Sequence, residues 1–483
     1  MFNKIAMGAI SLNLILLSYM CLADNSKPPN ILFIMVDDLR PELGIYDHPV
    51  VKTPHIDKFS KNATIFTNAY VNVPVCGASR ASMMTGIRPN QVRFRTYQAR
   101  ADKDAPDAET IFGMLKSNDY VTHSIGKIMH FSDDSLDDWS VPPWKPKVEH
   151  GMGHRNYLLD ENISFFKKNR TGPPFEKAEV NDNSYFDGKT TVEALNRLGV
   201  LSKKQDPFFL AVGFVKPHLP FNAPKKYWDL YDNSKIHLPD NAEQPTKAPP
   251  KAKHAFGELR KFDGIPENPL PVPDDIARQL IHGYYACVSY IDAQVGRLIS
   301  TLDNLGLRKN TIVIVWGDHG WHLGEKERWR KFTLWEEATR APLIFYAPGV
   351  TKPNSICKKA VDFLSVYPTL CELAGIEIPP HVEGKSLIPL LKNPQAKWSG
   401  VAITTHGYMN HSVRNQNWRY TRYKDGSEEL YDHRKDPYEW KNLAEDDDFA
   451  PMKKRLAGRL PKINAPDSPT IQVPKKTKKK KKI

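Results

Sequence analysis

Ile31-Leu32-Phe33-Ile34-Met35-Val36, followed at once by Asp37-Asp38, is the stretch on which the fold turns. Six apolar residues without polar alternation read as a strand buried on both faces, as in a parallel sheet covered by helices. The pattern returns further along. Phe208–Phe214 ends at Lys216-Pro217-His218, and Thr311–Trp316 runs into Gly317-Asp318-His319-Gly320. Ala341–Tyr346 reads as a fourth strand and Val121–Ile125 as a shorter one. Helical signals fall between them: Thr53 as a cap with Pro54 in the first turn, Thr110–Leu115, and a stripe formed by Tyr285, Val288, Ile291, Val295, Leu298, Ile299 and Leu302. Strands alternating with helices predict an α/β domain with a mostly parallel central sheet. Beyond about Pro380 the character changes. Val401–Thr405, Trp418–Tyr423 and Glu429–Tyr431 read as short strands, with Lys424-Asp425-Gly426 as a turn, and predict a smaller C-terminal subdomain with an antiparallel sheet. The expected division is 28–380 for the catalytic domain and 381–465 for the subdomain.

The two ends are of a different kind. Lys4, an apolar run from Ile5 to Met20 and Cys21-Leu22-Ala23 have the form of an export signal over residues 1–23. The run is short and broken by Ser11, Asn13 and Ser18, and no later stretch is long enough to span a bilayer, so no transmembrane segment is expected. The product would be periplasmic or secreted, with a lysosomal-type location only in a eukaryote. Without the seven lysines between Lys475 and Lys482 the formal charge of +13 falls to +6. About half of the basicity is therefore a tail, residues 466–483, which as a like-charge block is expected to be disordered. It lacks interleaved aromatics and follows an export signal, which argues against a nucleic-acid partner. Cys76, Cys287, Cys357 and Cys371 remain after the signal; they match no zinc spacing, and a Cys357–Cys371 pair stays open. Asn62, Asn162, Asn169 and Asn410 head glycosylation sequons. Between about Pro239 and Pro273 the chain is rich in proline and charge and reads as a long surface excursion.

Ligands of open α/β sheets bind beyond the carboxyl ends of the strands, so the polar clusters after the strands can meet in one crevice. Asp37, Asp38 and Asp318 would repel one another there unless a cation sat among them, and an oxygen cage favours calcium over magnesium. Cys76-Gly77-Ala78-Ser79-Arg80 adds a thiol at a helix start with an arginine one turn on, an arrangement suited to an anion. Taken alone, such a cysteine is more often buried and inert.

Cys76-Gly77-Ala78-Ser79-Arg80 also resembles the C-x-[PA]-S-R motif of the type I sulfatases, whose cysteine is oxidised after translation to formylglycine. The likeness runs in order through Asp37-Asp38, Gly126-Lys127, Gly317-Asp318-His319-Gly320, Glu429-Leu430-Tyr431-Asp432 and Asp436-Pro437. Phe208–Phe221, Ser289–Leu298 and Asp318–Glu325 are similar to the iduronate-2-sulfatase branch, as is the three-residue step from Lys127 to His130. The resemblance implies an alkaline-phosphatase-like sandwich and the hydrolysis of O-sulfate esters of a carbohydrate such as ulvan, carrageenan or a glycosaminoglycan. It implies one Ca2+ held by Asp37, Asp38, Asp318, His319 and residue 76, and a formylglycine-generating or sulfatase-maturating enzyme as partner. One hydroxyl of the formylglycine hydrate would attack sulfur, and loss of the second proton would expel sulfate. A thiol could not take that last step. By the same resemblance Arg80 and Lys127 neutralise the sulfate and the hydrate, and His130 is the base. His218 and Lys331 hold sulfate, one of them protonating the leaving alcohol. Lys216 and His322 are expected near the substrate. His123, in an apolar run, is expected to be a satisfied core histidine. Two other readings follow from the same residues: a phosphonate monoester or phosphodiester hydrolase of the same superfamily, and an inactive carbohydrate-binding homologue.

Overall fold

The computed structural model describes residues 27–89, 93–253, 257–267 and 270–461. The segment read as an export signal and the lysine tail lie outside the described residues. A seven-stranded sheet forms the centre, built from β1 (Asn30–Val36), β2 (Thr64–Phe66), β3 (Val121–Gly126), β4 (Phe208–Phe214), β5 (Thr311–Gly317), β6 (Leu343–Tyr346) and β7 (Ser355–Cys357). The spatial order is β7-β2-β6-β5-β1-β4-β3. β1 pairs in parallel with both β4 and β5, Ile34 lying opposite Val212 and Val315. β3 joins β4 in parallel. β6 is antiparallel to both of its neighbours, so one strand runs against an otherwise parallel sheet.

The apolar runs lack alternation because each face of the sheet has its own core. Leu32, Ile34 and Val36 pack with α4 (Phe186–Leu201) and α5 (Asp274–Asn304). Ile31, Phe33 and Met35 face the layer holding α2 (Cys76–Thr85), α3 (Ile111–Ser117) and α6 (Val366–Ala374). All seven stripe positions of α5 are buried. α1 (Pro54–Ser60) starts with Pro54 as expected, but Thr53 is not its side-chain cap: the hydroxyl donates to Asp57 and accepts from the Gly44 amide. Thr110 does cap α3, accepting from the Gly113 amide.

A second, antiparallel sheet of β8 (Ala402–Thr405), β9 (His411–Arg414), β10 (Trp418–Arg422) and β11 (Glu428–Asp432) stands beside the first, paired in that order. Its own core joins Val413, Tyr420 and Leu430 to Leu456 of α7 (Ala450–Ala457). Leu387, Leu390 and Leu391 still pack under the larger sheet. β9 was hidden inside a sequon: Asn410 is buried, donating to His406 O and accepting from the Lys424 amide, which closes it to a glycan. Cys76, Cys287, Cys357 and Cys371 are buried and free, so Cys357 and Cys371 do not pair. Among the described residues no helix is long and apolar enough to cross a membrane.

Candidate active site

The carboxyl ends of β1, β3, β4 and β5 meet the first turn of α2. Every residue of α2 is buried, and Cys76 is its first. Gly77 has to be glycine, since a Cβ there would lie 2.0 Å from the Tyr97 carbonyl oxygen. Ser79 pins the helix by donating to Asp318 O at 2.6 Å. Arg80 is fully enclosed. Its Nε donates to Asp318 Oδ2 at 2.9 Å, one Nη to the carbonyls of Lys127 and Ile128, and the other lies 3.4 Å from Asp37 Oδ1.

Around the thiol the charges alternate. His319 Nε2 lies 3.1 Å from Cys76 Sγ and Lys331 Nζ 3.2 Å. The other nitrogen of His319 faces Gly320 O and Asp38 Oδ1, so it carries the proton and leaves Nε2 with its lone pair toward residue 76. Lys331 also holds both oxygens of Asp38, at 2.8 and 3.2 Å. Asp38 takes a left-handed turn (φ 58°), its amide donating to Asp318 Oδ1 and its carbonyl accepting from Tyr284. Lys127 pairs with Asp37. Burial opposes ionising Asp37, but Lys127 and Arg80 outweigh it and hold that carboxyl well below the usual range. Burial, reinforced by Asp37, pushes the Cys76 thiol well up, so the residue as encoded is held neutral.

His218 is aimed by its turn. Nδ1 faces Leu219 O at 2.8 Å and Nε2 faces Glu258 Oε1 at 3.2 Å, so the ring is placed to donate from either nitrogen. Lys331 lies 3.6 Å from the same Glu258 oxygen. His130 borders the cleft with Nδ1 buried and without a hydrogen-bond partner among the described residues; burial and then Lys127 push it down to about 3, which keeps it neutral.

Asp37, Cys76, Asp318 and His319 present one ligand atom each within 4.8 Å of one another, and Asp38, Cys76 and His218 form a second such group. Asp37 Oδ1 is buried without a hydrogen-bond partner among the described residues, which suits a hard cation. The structure thus brings Asp37, Asp38, Cys76, Arg80, Lys127, Asp318, His319, His218 and Lys331 into one connected cluster, with His130 on the same cleft. It does not bring Lys216 or His322 to a substrate position. Lys216 is buried, and its ammonium donates back to His218 O and Pro220 O, bracing the turn that carries His218. His322 is enclosed against Thr333 and Trp335. His123 is buried yet neither nitrogen has a partner among the described residues, so it is not the satisfied core histidine expected. Glu258 went unnoticed in the sequence, as did Asp187, whose carboxylate accepts from the Val215 and Lys216 amides and fixes the end of β4.

The profile of the Sulfatase family matches residues 29–376, and that of N-sulphoglucosamine sulphohydrolase, C-terminal, matches residues 317–466. Human iduronate 2-sulfatase is 34% identical over 418 residues, 74% of this chain and 73% of its own. An ulvan-active sulfatase of Formosa agariphila is 28% identical over 463 residues, 91% of this chain and 81% of its own. Among solved structures, the phosphonate monoester hydrolase of Silicibacter pomeroyi, 20% identical, matches with a TM-score of 0.73 over 89% of this chain and 94% of its own. The chain belongs to the sulfatase family, with an alkaline-phosphatase-like fold and iduronate 2-sulfatases among its relatives. It is a sulfuric ester hydrolase.

Proposed function

We propose that this sulfatase is exported and removes O-sulfate from an anionic, uronate-bearing carbohydrate, with residue 76 working as formylglycine beside calcium. The observation that carries the reading is the position of residue 76: first residue of a buried helix, within 3.2 Å of both His319 and Lys331 and walled by Asp37, Asp38 and Asp318. Formylglycine would supply a hydrated aldehyde as nucleophile and a means of expelling sulfate, and calcium would polarise that hydrate.

The chain's own residues do the rest. Arg80, immobilised by four contacts, holds Asp318 and Asp37 in place and favours their charged forms, against the burial that raises Asp318. Lys331, 3.2 Å from residue 76, and Lys127, paired with Asp37, bring two ammonium groups to the cluster where sulfate oxygens gather charge as the ester bond breaks. His130, held neutral, takes the proton whose loss expels sulfate. His218, whose Nε2 faces Glu258, is the group that protonates the leaving alcohol. Asp37, Asp38, Asp318 and His319 are the residues that would hold calcium, and an oxygen at position 76 suits that ion better than a thiol. The uronate-bearing substrate is supported by the iduronate 2-sulfatase and ulvan-active relatives, and export by the leader composition of residues 1–23.

The test has two parts. Mass spectrometry of the tryptic peptide carrying residue 76 should show aldehyde in place of thiol after co-expression with a maturating enzyme. The matured protein should then release sulfate from glycosaminoglycan, ulvan or carrageenan oligosaccharides. Cys76→Ala should lower kcat by roughly a thousandfold or more. Intact thiol after maturation, or no sulfate released from any of these, sinks the reading. Faster turnover of aryl phosphonates than aryl sulfates would favour a phosphonate monoester hydrolase instead.

A further inference from the structure

The cavity bordered by Lys127, His130 and His218 is larger than a sulfate ester needs. Its volume is about 1340 Å3, beyond the roughly 300–1,000 Å3 of pockets for one small ligand. Lys127, His130 and His218 of the reaction site line it, and so do Lys145 and Lys147.

These two lysines are placed by the sheet. Pro142-Pro143-Trp144-Lys145-Pro146-Lys147 lies along the edge of β3, with Trp144 bridging in parallel to Ile125. The Trp144 amide donates to Ser124 O at 2.9 Å and the Gly126 amide to Trp144 O at 2.8 Å. Three prolines fix their φ angles and stiffen the segment. Trp144 packs toward the core while Lys145 and Lys147 are exposed. The register matters, because β3 runs directly into Lys127. A rigid edge therefore carries two ammonium groups beside the strand end that delivers a sulfate-binding lysine. Lys145 Nζ donates to Ser132 Oγ at 2.9 Å, a neutral partner. Among the described residues the one carboxylate lining the cavity, Asp134, is buried and accepts from the Ala101 and Asp102 amides.

We propose that Lys145 and Lys147 form a subsite for a second anionic group, a carboxylate or sulfate on the sugar next to the one being desulfated. The substrate class is then an extended saccharide with repeated negative charge, not a single sulfated sugar. This rests on the reading of the site as a carbohydrate sulfatase, and the experiment separates the two. The proteins compared are the matured chain and its Lys145→Ala/Lys147→Ala variant; neither lysine belongs to the reaction machinery. The probes are 4-nitrophenyl sulfate and tetrasaccharides cut from heparan sulfate and from ulvan. The variant should match the parent on 4-nitrophenyl sulfate. On whichever tetrasaccharide the parent turns over, kcat/KM should fall about tenfold at low salt, chiefly through KM, a few-fold per exposed ion contact. The difference should shrink as salt rises, and Lys147→Glu should bind less well than Lys147→Ala. A chemically desulfated, still carboxylated tetrasaccharide tells carboxylate from sulfate as the second group. Equal kcat/KM for parent and variant on the tetrasaccharide overturns the subsite, and so does an equal loss on both kinds of substrate. If the parent releases no sulfate from any saccharide, the functional reading fails. Calorimetric titration of the tetrasaccharides into Cys76→Ala, with and without the lysine substitutions, then still decides the subsite: equal affinity overturns it.

Discussion

Glu258 changes how the sulfate-binding pair has to be understood. Its carboxylate is shared between His218 and Lys331, the two donors that would otherwise face the sulfate alone. Burial opposes its ionisation, but Lys331 and His218 outweigh that and hold it well below the carboxylate range. An anion already in place weakens the grip on the product anion. Glu258→Gln should therefore lower the inhibition constant of inorganic sulfate about three- to tenfold; steady-state inhibition measures it, and an unchanged or raised constant contradicts it. At this scale the sequence was legible where a strand end or a motif fixes a side chain, as at Asp37, Asp318 and Arg80. It was mute at Glu258, because the proline-rich excursion has no periodicity to say which way its residues face. Lys216 and His322 mislead for a related reason. They neighbour working residues along the chain, but Lys216 is drawn to the bare carbonyls of its own turn and His322 to Thr333.

Among the elements, β3 carries a latent pH sensitivity. His123 is buried in it without a hydrogen-bond partner among the described residues, and burial, followed by repulsion from Arg197, pushes it down to about 4. Between pH 6.5 and 4 the unfolded chain takes up a proton that the folded chain refuses, so stability rises with pH across that window and falls as acid is added. The full effect is at most about 3 kcal/mol. His123→Leu should flatten the acid side of the stability profile relative to the parent, read by urea unfolding between pH 4.5 and 7; parallel profiles would contradict it. The elements themselves were readable as far as burial sets the pattern. The continuous apolar strands, the α5 stripe and the Pro54 start all stand. The direction of β6 was not readable, since neither its apolar content nor its length records which way the preceding loop returns the chain. β9 was missed because its four residues, His411–Arg414, carry charge and a hydroxyl among them.

For the molecule as a whole, the antiparallel sheet is part of the active-site scaffold. Arg419 of β10 is fully buried and reaches across to the segment that carries Lys331. It donates to Leu334 O at 3.0 Å and Thr339 Oγ1 at 3.1 Å, and pairs with Glu336 and Glu439. Trp335 meanwhile donates to Glu429 of β11 at 2.9 Å. Leu334 is three residues beyond Lys331, so loosening this seam loosens a reaction residue. Removing one partner of a buried ionic network leaves the others uncompensated, and Arg419→Met should cost about 3–5 kcal/mol. Thermal unfolding measures the loss. Activity should fade at temperatures below the unfolding midpoint, which a purely remote defect would not produce.

One consequence of the enclosed charges concerns which ester is accepted. Asp37, Asp38, Asp318 and Glu258 outnumber Arg80, Lys127 and Lys331 by a single formal charge. With the proposed calcium among them the deficit becomes a surplus of one, and a sulfate ester, bearing one negative charge, returns the sum to zero. A phosphate monoester, at roughly 1.5 to 2 charges near neutrality, overshoots. Discrimination between two tetrahedral anions of nearly the same shape would then rest on the electroneutrality of the charge cluster, with no single contact needed to tell them apart.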